Sequence, residues 1–222
     1  MERRQFLVTV IRGTAIASLA AVGCRGTQHA KVMSATTPDL VGNTAAGAET
    51  WEPLIQTTVS QLLGREMTQI AEILPAGHLE DNHPKKRICF VGVENKSSEE
   101  IGDFRDQIYQ KIDTCVGQSE MFDMVTRRAV EAGLRACQLR PDDLFVPANR
   151  RKFAAAMEQE DGPFDYLMYA TITSGSTSGT KSSQRDYMLT LELIDMASGR
   201  SDKESAELRK AYSKSKLALH NK

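Results

Sequence analysis

The chain is short of the residues from which most active sites are built. It has four histidines in 222 residues, and His29, His78, His83 and His220 are too scattered for the paired spacing of a zinc site. Its cysteines, Cys24, Cys89, Cys115 and Cys137, form no C-x-x-C pair, which removes the common redox and zinc-ribbon signatures. There is no phosphate-cradling glycine loop and no nucleophile elbow. Gly175-Ser176-Thr177-Ser178-Gly179 carries threonine at its centre and lies between two strand-like segments, not between a strand and a helix. Carboxylates at Asp142-Asp143 and at Glu158, Glu160 and Asp161 fall at helix ends and turns, where capping and solvation account for them. These absences leave no catalytic residue, no metal site and no cofactor to assign, and a non-enzymatic role is expected.

Charge of one sign is also lacking. The formal net charge is −1 and aromatics make up 6% of the chain. The short basic clusters Lys85-Lys86-Arg87, Arg127-Arg128 and Arg150-Arg151-Lys152 have no aromatics interleaved as a stacking platform would require. Nucleic acid is therefore not expected as a partner. Long apolar runs are missing too. The longest mostly apolar stretch, Phe6 to Val22, is interrupted by Arg12 and falls short of the roughly 20 residues a retained spanning helix needs.

What is present at that end is an address. Basic Arg3-Arg4, the apolar stretch and the small residues Ala21-Val22-Gly23 before Cys24 stand in the order of a secretory signal that ends in a lipobox. Residues 1–23 are predicted to be a signal peptide cleaved after Gly23, leaving Cys24 as the acylated first residue that holds the protein to a membrane. Arg3, Arg4, Phe6 and Leu7 also resemble the twin-arginine export signal. Arg25, directly after Cys24, is not the aspartate that retains many lipoproteins at the inner membrane. The expected location is the cell envelope, lipid-anchored, at the outer membrane facing the periplasm. Residues 24–50 are rich in Gly, Ala, Thr and Ser with no helical period, and are predicted to be a flexible tether. Such a length extends to about 90 Å at most and typically spans about 30 Å.

A globular domain is expected over residues 51–212, with a polar tail at 213–222. Ile55, Val59, Leu62, Leu63, Met67, Ile70 and Ile73 mark one face of a first helix. Ile88-Cys89-Phe90-Val91-Gly92-Val93 is a short continuous apolar run, the pattern of a strand covered on both faces. Ile101, Phe104, Ile108, Ile112 and Cys115 predict a second helix capped by Ser97 or Ser98. Met121 to Val125 predicts a second strand. Thr126 caps a helix to Cys137, and Pro147 or Ala148 starts another carrying Phe153 and Met157. Tyr166 to Thr173 and Arg185 to Asp195 alternate as a strand pair, joined by Ser174 to Ser183, which is expected to be a long mobile hairpin loop. For the last segment strand and helix both remain open, and propensity favours helix over Glu204 to Tyr212. One disulfide or three buried thiols would equally account for Cys89, Cys115 and Cys137. The predicted fold class is α/β, one mixed, largely antiparallel sheet with helices packed against it.

Several strings resemble the LpoB-type lipoprotein activators of penicillin-binding proteins. They are Phe90-Val91-Gly92-Val93-Glu94-Asn95-Lys96-Ser97-Ser98, Phe164-Asp165-Tyr166-Leu167-Met168-Tyr169-Ala170-Thr171-Ile172, and Leu191-Glu192-Leu193-Ile194-Asp195-Met196-Ala197-Ser198-Gly199. Asp202 to Lys210 is similar to the family's final strand. The resemblance implies a fold like the amino-terminal domain of TolB. It also implies a partner, a penicillin-binding protein that synthesises peptidoglycan and is activated by docking. The alternative is an envelope secretion or assembly lipoprotein of the same fold. The partner-binding surface is unassigned; Ser174 to Ser183 and the segment from Arg127 to Arg151 are its candidates.

Overall fold

Residues 46–73, 84–179 and 182–213 are described by the computed structural model. The proposed signal residues Arg3, Arg4, Phe6, Leu7 and Gly23, the acylation site Cys24, and most of the expected tether lie outside them.

Helix α1 (Ala48–Ile73) buries Trp51, Leu54, Ile55, Val59, Leu62 and Leu63 along one stripe. It starts three residues before Trp51, where the folded region was expected to begin, because Ala46 N–H donates to Glu99 Oε2 at 3.2 Å and ties down the entry to the helix. Thr58, buried within the stripe, donates its hydroxyl to the Leu54 carbonyl at 2.6 Å and so satisfies its own polar atom. Strand β1 (Lys86–Asn95) follows, then α2 (Phe104–Gly117), the short β2 (Phe122–Met124) and α3 (Arg127–Cys137). A 3₁₀ turn (Pro141–Phe145) leads into α4 (Pro147–Glu160), and three long strands close the domain: β3 (Tyr166–Ser178), β4 (Ser182–Asp195) and β5 (Ser201–Ser213).

The sheet order is β2-β1-β3-β4-β5. β1 pairs in parallel with β2 and β3, whereas β3–β4 and β4–β5 are antiparallel over their whole lengths, so the sheet is mixed and largely antiparallel as expected. Alternation along each strand separates two apolar layers. Ile88, Phe90, Met168, Ile172, Leu189, Leu191 and Leu193 face α1 and α2. Cys89, Val91, Leu167, Tyr169 and Ile194 face α3 and α4. Beyond Ile194 that second face is uncovered and polar, with Thr190 and Ser205 hydroxyls 2.8 Å apart and Lys203–Glu192 and Arg209–Asp186 pairs.

The strings that carried the family resemblance are places where the chain turns. Asn95 Oδ1 accepts from the Ser97 N–H at 2.9 Å while its amide donates to the Glu99 carbonyl at 2.7 Å, closing the exit from β1. Asp165 accepts from the Arg87 N–H and from Lys86 Nζ, both at 2.8 Å, and joins the starts of β1 and β3. Asp195 Oδ1 accepts from the N–H groups of Ala197 and Ser198, both at 2.8 Å, and Gly199, at φ 73°, completes the β4–β5 turn in the left-handed region.

Two expectations are corrected, one open choice is resolved, and one element was not foreseen. The segment Ser174 to Ser183 is not a long mobile loop. β3 runs to Ser178 and β4 starts at Ser182, with Gly179 N–H on the Ser182 carbonyl at 2.7 Å, because cross-strand backbone pairing continues after the apolar core has ended. Glu204 to Tyr212 is strand, not helix. In register with β4, Ala206 and Leu208 turn inward while Glu207 and Arg209 face solvent, and the buried face outweighs helical propensity. Neither Ser97 nor Ser98 caps α2, which begins at Phe104 after Asp103 with no side-chain cap; the Ser98 hydroxyl meets that of Ser174 instead, 3.4 Å away. The 3₁₀ turn at Pro141–Phe145 was not anticipated. By contrast Thr126 does cap α3, its Oγ1 accepting from the Ala129 N–H at 3.4 Å, and Pro147 does open α4.

Candidate docking surface

β1 is interrupted by an irregularity between Phe90 and Gly92, and Gly92 sits at φ 155° with nothing near the position its side chain would take. A cleft of about 410 Å³ lies here, lined by the second half of β1, by Arg105 near the start of α2, and by Arg140, Pro141, Asp142 and Phe145. Tyr169, Ala170 and Thr171 of β3 form its floor. It opens beside the carboxyl ends of the parallel strands, the usual place for a binding crevice in sheets of this kind. A smaller cleft of about 160 Å³ continues from Val91–Val93 to Tyr109, Arg127 and Glu131.

The 3₁₀ turn is anchored at its centre and presents its end. Leu144 is fully buried; Asp143 Oδ2 accepts from the Arg140 N–H at 2.8 Å, and the Asp143 carbonyl accepts from Asn149 Nδ2 at 2.9 Å. With Leu144 pointing in, Phe145 and Val146 turn out, 48% and 51% exposed, and with Met67 they are the exposed large apolar residues among those described. Phe145 lies on Tyr169, ring centroids 4.8 Å apart at 21°. The Tyr169 hydroxyl is buried without a hydrogen-bond partner among the described residues. Burial pushes the titration of that phenol well above its ordinary range, with Arg150 opposing, so it stays protonated and able to donate.

The charge around this patch is unbalanced. Arg65, Arg87, Arg127, Arg185, Arg200 and Arg209 each have a carboxylate partner, Arg127 two of them, Asp106 and Glu131, while also lying 4.8 Å over the Tyr109 ring. Arg105, Arg128, Arg140, Arg150 and Arg151 pair with no carboxylate among the described residues, and all but Arg105 belong to the α3, 3₁₀ and α4 side. Arg150 and Arg151 border a third cleft, of about 290 Å³, beyond Pro147. An exposed aromatic sharing one cleft with Arg105 and Arg140 combines residue types that carry most binding energy at protein interfaces. It suits an acidic surface with an apolar centre.

Of the two candidate segments, the structure brings the end of Arg127 to Arg151 to this surface. Ser174 to Ser183 lines neither cleft and forms the far end of a hairpin. Sequence reasoning missed Tyr169 and Arg105 and, inside the candidate segment Arg127 to Arg151, did not single out Phe145 and Val146. The signal available was Leu144-Phe145-Val146 between Pro141 and Pro147, three apolar residues in a segment too short to bury them all. Cys89, Cys115 and Cys137 are free thiols, each pushed up in pKa chiefly by burial, and Cys137 Sγ donates to the Gly133 carbonyl at 2.9 Å. Among the described residues no group of three His, Cys, Asp or Glu side chains could hold a metal ion, and no helix is long and apolar enough to cross a membrane.

Residues 55–201 match the family model described as "Peptidoglycan-synthase activator LpoB". No curated protein matches the chain. Among solved structures, the LpoB C-terminal domain of Salmonella enterica is similar at 14% identity and TM-score 0.44, over 70% of this chain and 97% of that one. The corresponding domain of Escherichia coli gives 15% and 0.43 over the same shares. Lipoprotein GNA1162 of Neisseria meningitidis gives 18% and 0.42 over 60% of this chain and 89% of that one.

Proposed function

Because this chain belongs to the LpoB family of peptidoglycan-synthase activators, we propose that it is a lipid-anchored, non-enzymatic envelope protein that docks on a penicillin-binding synthase and raises its activity. The observation that carries the reading is the family match over Ile55 to Ser201, which includes every residue of the surface at Phe145. In this reading residues 1–23 direct export and are removed after Gly23, and acyl chains on Cys24 hold the protein at the outer membrane, facing the periplasm. The residues between Cys24 and α1 set how far the domain reaches, typically about 30 Å. Docking is through Phe145 and Val146 with the arginine rim around them. Activation then requires only that the domain bind the active conformation of the synthase more tightly than the inactive one. A coupling of about 1–3 kcal/mol, equivalent to roughly 5- to 150-fold, is the usual range.

The test combines binding and catalysis. Full-length protein added to a purified bifunctional synthase from the same organism is expected to speed glycan polymerisation several-fold. Phe145→Asp is expected to remove most of that acceleration without lowering the melting temperature, since the side chain is half exposed. Failure of the unaltered protein to bind or accelerate any such synthase would sink the proposal. The anchor has its own measurement. In cells fed radioactive fatty acid the protein should carry label that Cys24→Ala lacks, and equal labelling of the two would refute acylation at Cys24.

A further inference from the structure

The cleft beside Phe145 has a feature that a plain contact surface does not explain. A tyrosine hydroxyl shut away from water without a partner costs free energy in the unbound protein, and replacing it by hydrogen should cost nothing or be stabilising. Tyr169 keeps it, 7% exposed, in the floor of the cleft. Two arginines without a carboxylate partner among the described residues, Arg105 of α2 and Arg140 just before the 3₁₀ turn, line the same cleft. Of the carboxylates there, Glu94 is neutralised by Lys96 Nζ at 2.9 Å, which leaves Asp142 as the one acidic group against two arginines. Val91, Val93 and Ala170 supply apolar wall between them. Arg105, Arg140 and Tyr169, from three separate segments, thus line one cleft together with the apolar Val91, Val93 and Ala170.

We propose that this cleft receives a carboxylate side chain from an acidic, extended segment of the protein partner, held by Arg105 and Arg140 and accepting a hydrogen bond from the Tyr169 hydroxyl, while Phe145 and Val146 cover the neighbouring apolar residue. Arginine forks match a carboxylate in two-bond geometry, and such charge-assisted bonds are roughly twice as strong as neutral ones. The cleft volume of about 410 Å³ is larger than a lone anion needs and suits a side chain with its adjoining backbone. The inference rests on the reading of this chain as a protein that docks on a partner, and names what part of the partner it grips.

The experiment uses the full-length chain in detergent and a blocked hexapeptide alternating Glu and Leu, with its Gln–Leu counterpart as control. The acidic peptide is expected to bind about tenfold or more tightly than the control, with affinity falling as salt rises, and Arg105→Gln with Arg140→Gln should lose that preference. Tyr169→Phe is the sharper variant: binding should weaken by about three- to tenfold while the melting temperature stays level or rises. A Tyr169→Phe protein that melts lower and binds unchanged would make the hydroxyl structural and overturn the proposal. So would equal binding of the two peptides, or full displacement of the acidic peptide by an equal concentration of inorganic phosphate. A protein that accelerates a synthase yet ignores the peptide loses this inference alone. One that grips the peptide with the stated dependence but accelerates no synthase loses the synthase reading instead.

Discussion

Trp51→Ala should lower the stability of the domain by about 3–5 kcal/mol, seen as a fall in the urea midpoint at nearly constant slope. Trp51 is the largest fully buried side chain and meets Tyr187 edge-on at 5.7 Å and 75°. That contact lies where α1 crosses β4, beside a polar node. Glu99 accepts there from the Ala46 N–H at 3.2 Å and from the Tyr187 hydroxyl at 2.9 Å, and pairs with Arg185. Removing the indole leaves a cavity that this bonded frame cannot collapse, which places the cost in the upper part of the large-to-small range. The indole N–H has no hydrogen-bond partner among the described residues. Trp51→Phe should therefore cost much less, about 1 kcal/mol, because it keeps most of the volume and loses no bond. A loss below about 1 kcal/mol for the alanine variant would mean that α1 is held mainly by its remaining stripe of Leu54 to Leu63.

Gly133→Leu is the corresponding test on the other face, with an expected cost of about 3 kcal/mol from overpacking. Gly133 lies at the contact of α3 and α4, where even a first side-chain carbon would press on Met157 Sδ and come within 3.1 Å of Phe153 Cε2. Both neighbours are fully buried, so α4 must shift to admit the new side chain. That shift moves the 3₁₀ turn, because α4 begins at Pro147 and Asn149 bonds back to Asp143. The variant is accordingly expected to lose partner binding by the Phe145 surface even at temperatures where it remains folded. The single tryptophan of the chain belongs to the α1 layer and offers the control. Its emission should stay buried and blue-shifted in Gly133→Leu while binding is lost. Unchanged stability together with unchanged binding would show that α3 and α4 can separate without consequence.

Where local signals and tertiary demands agreed, the fold was legible. Ile88 to Val93 is apolar on consecutive residues because β1 has helices on both sides, as does the first half of β3. Thr126 and Pro147 announce helix starts through chemistry confined to one turn, a hydroxyl acceptor and a fixed φ. Where the deciding contacts were distant, the reading failed. Ala206 and Leu208 have little strand propensity, and their inward positions become visible only when β5 lies in register beside β4 under α1. Ser174 to Ser178 and Ser182–Ser183 have no apolar face at all; they are strand because each has a backbone partner across the hairpin. The surface behaved likewise. Arginines between Arg127 and Arg151 could be singled out as charge, but whether each is spent on a neighbouring carboxylate is a matter of distance, and Arg127 is spent while Arg140 is not.

From the linear chain alone come those features whose physics is local: the order of basic, apolar and small residues up to Cys24, the helical stripes and the doubly apolar β1. The tertiary structure decided which polar groups are left without partners. Phe145 stacks on Tyr169, whose hydroxyl has no hydrogen-bond partner among the described residues, and Arg105 and Arg140, far apart in sequence, line one cleft. Unpaired donors are properties of packing, since a side chain's partner is chosen in space among groups far apart in sequence.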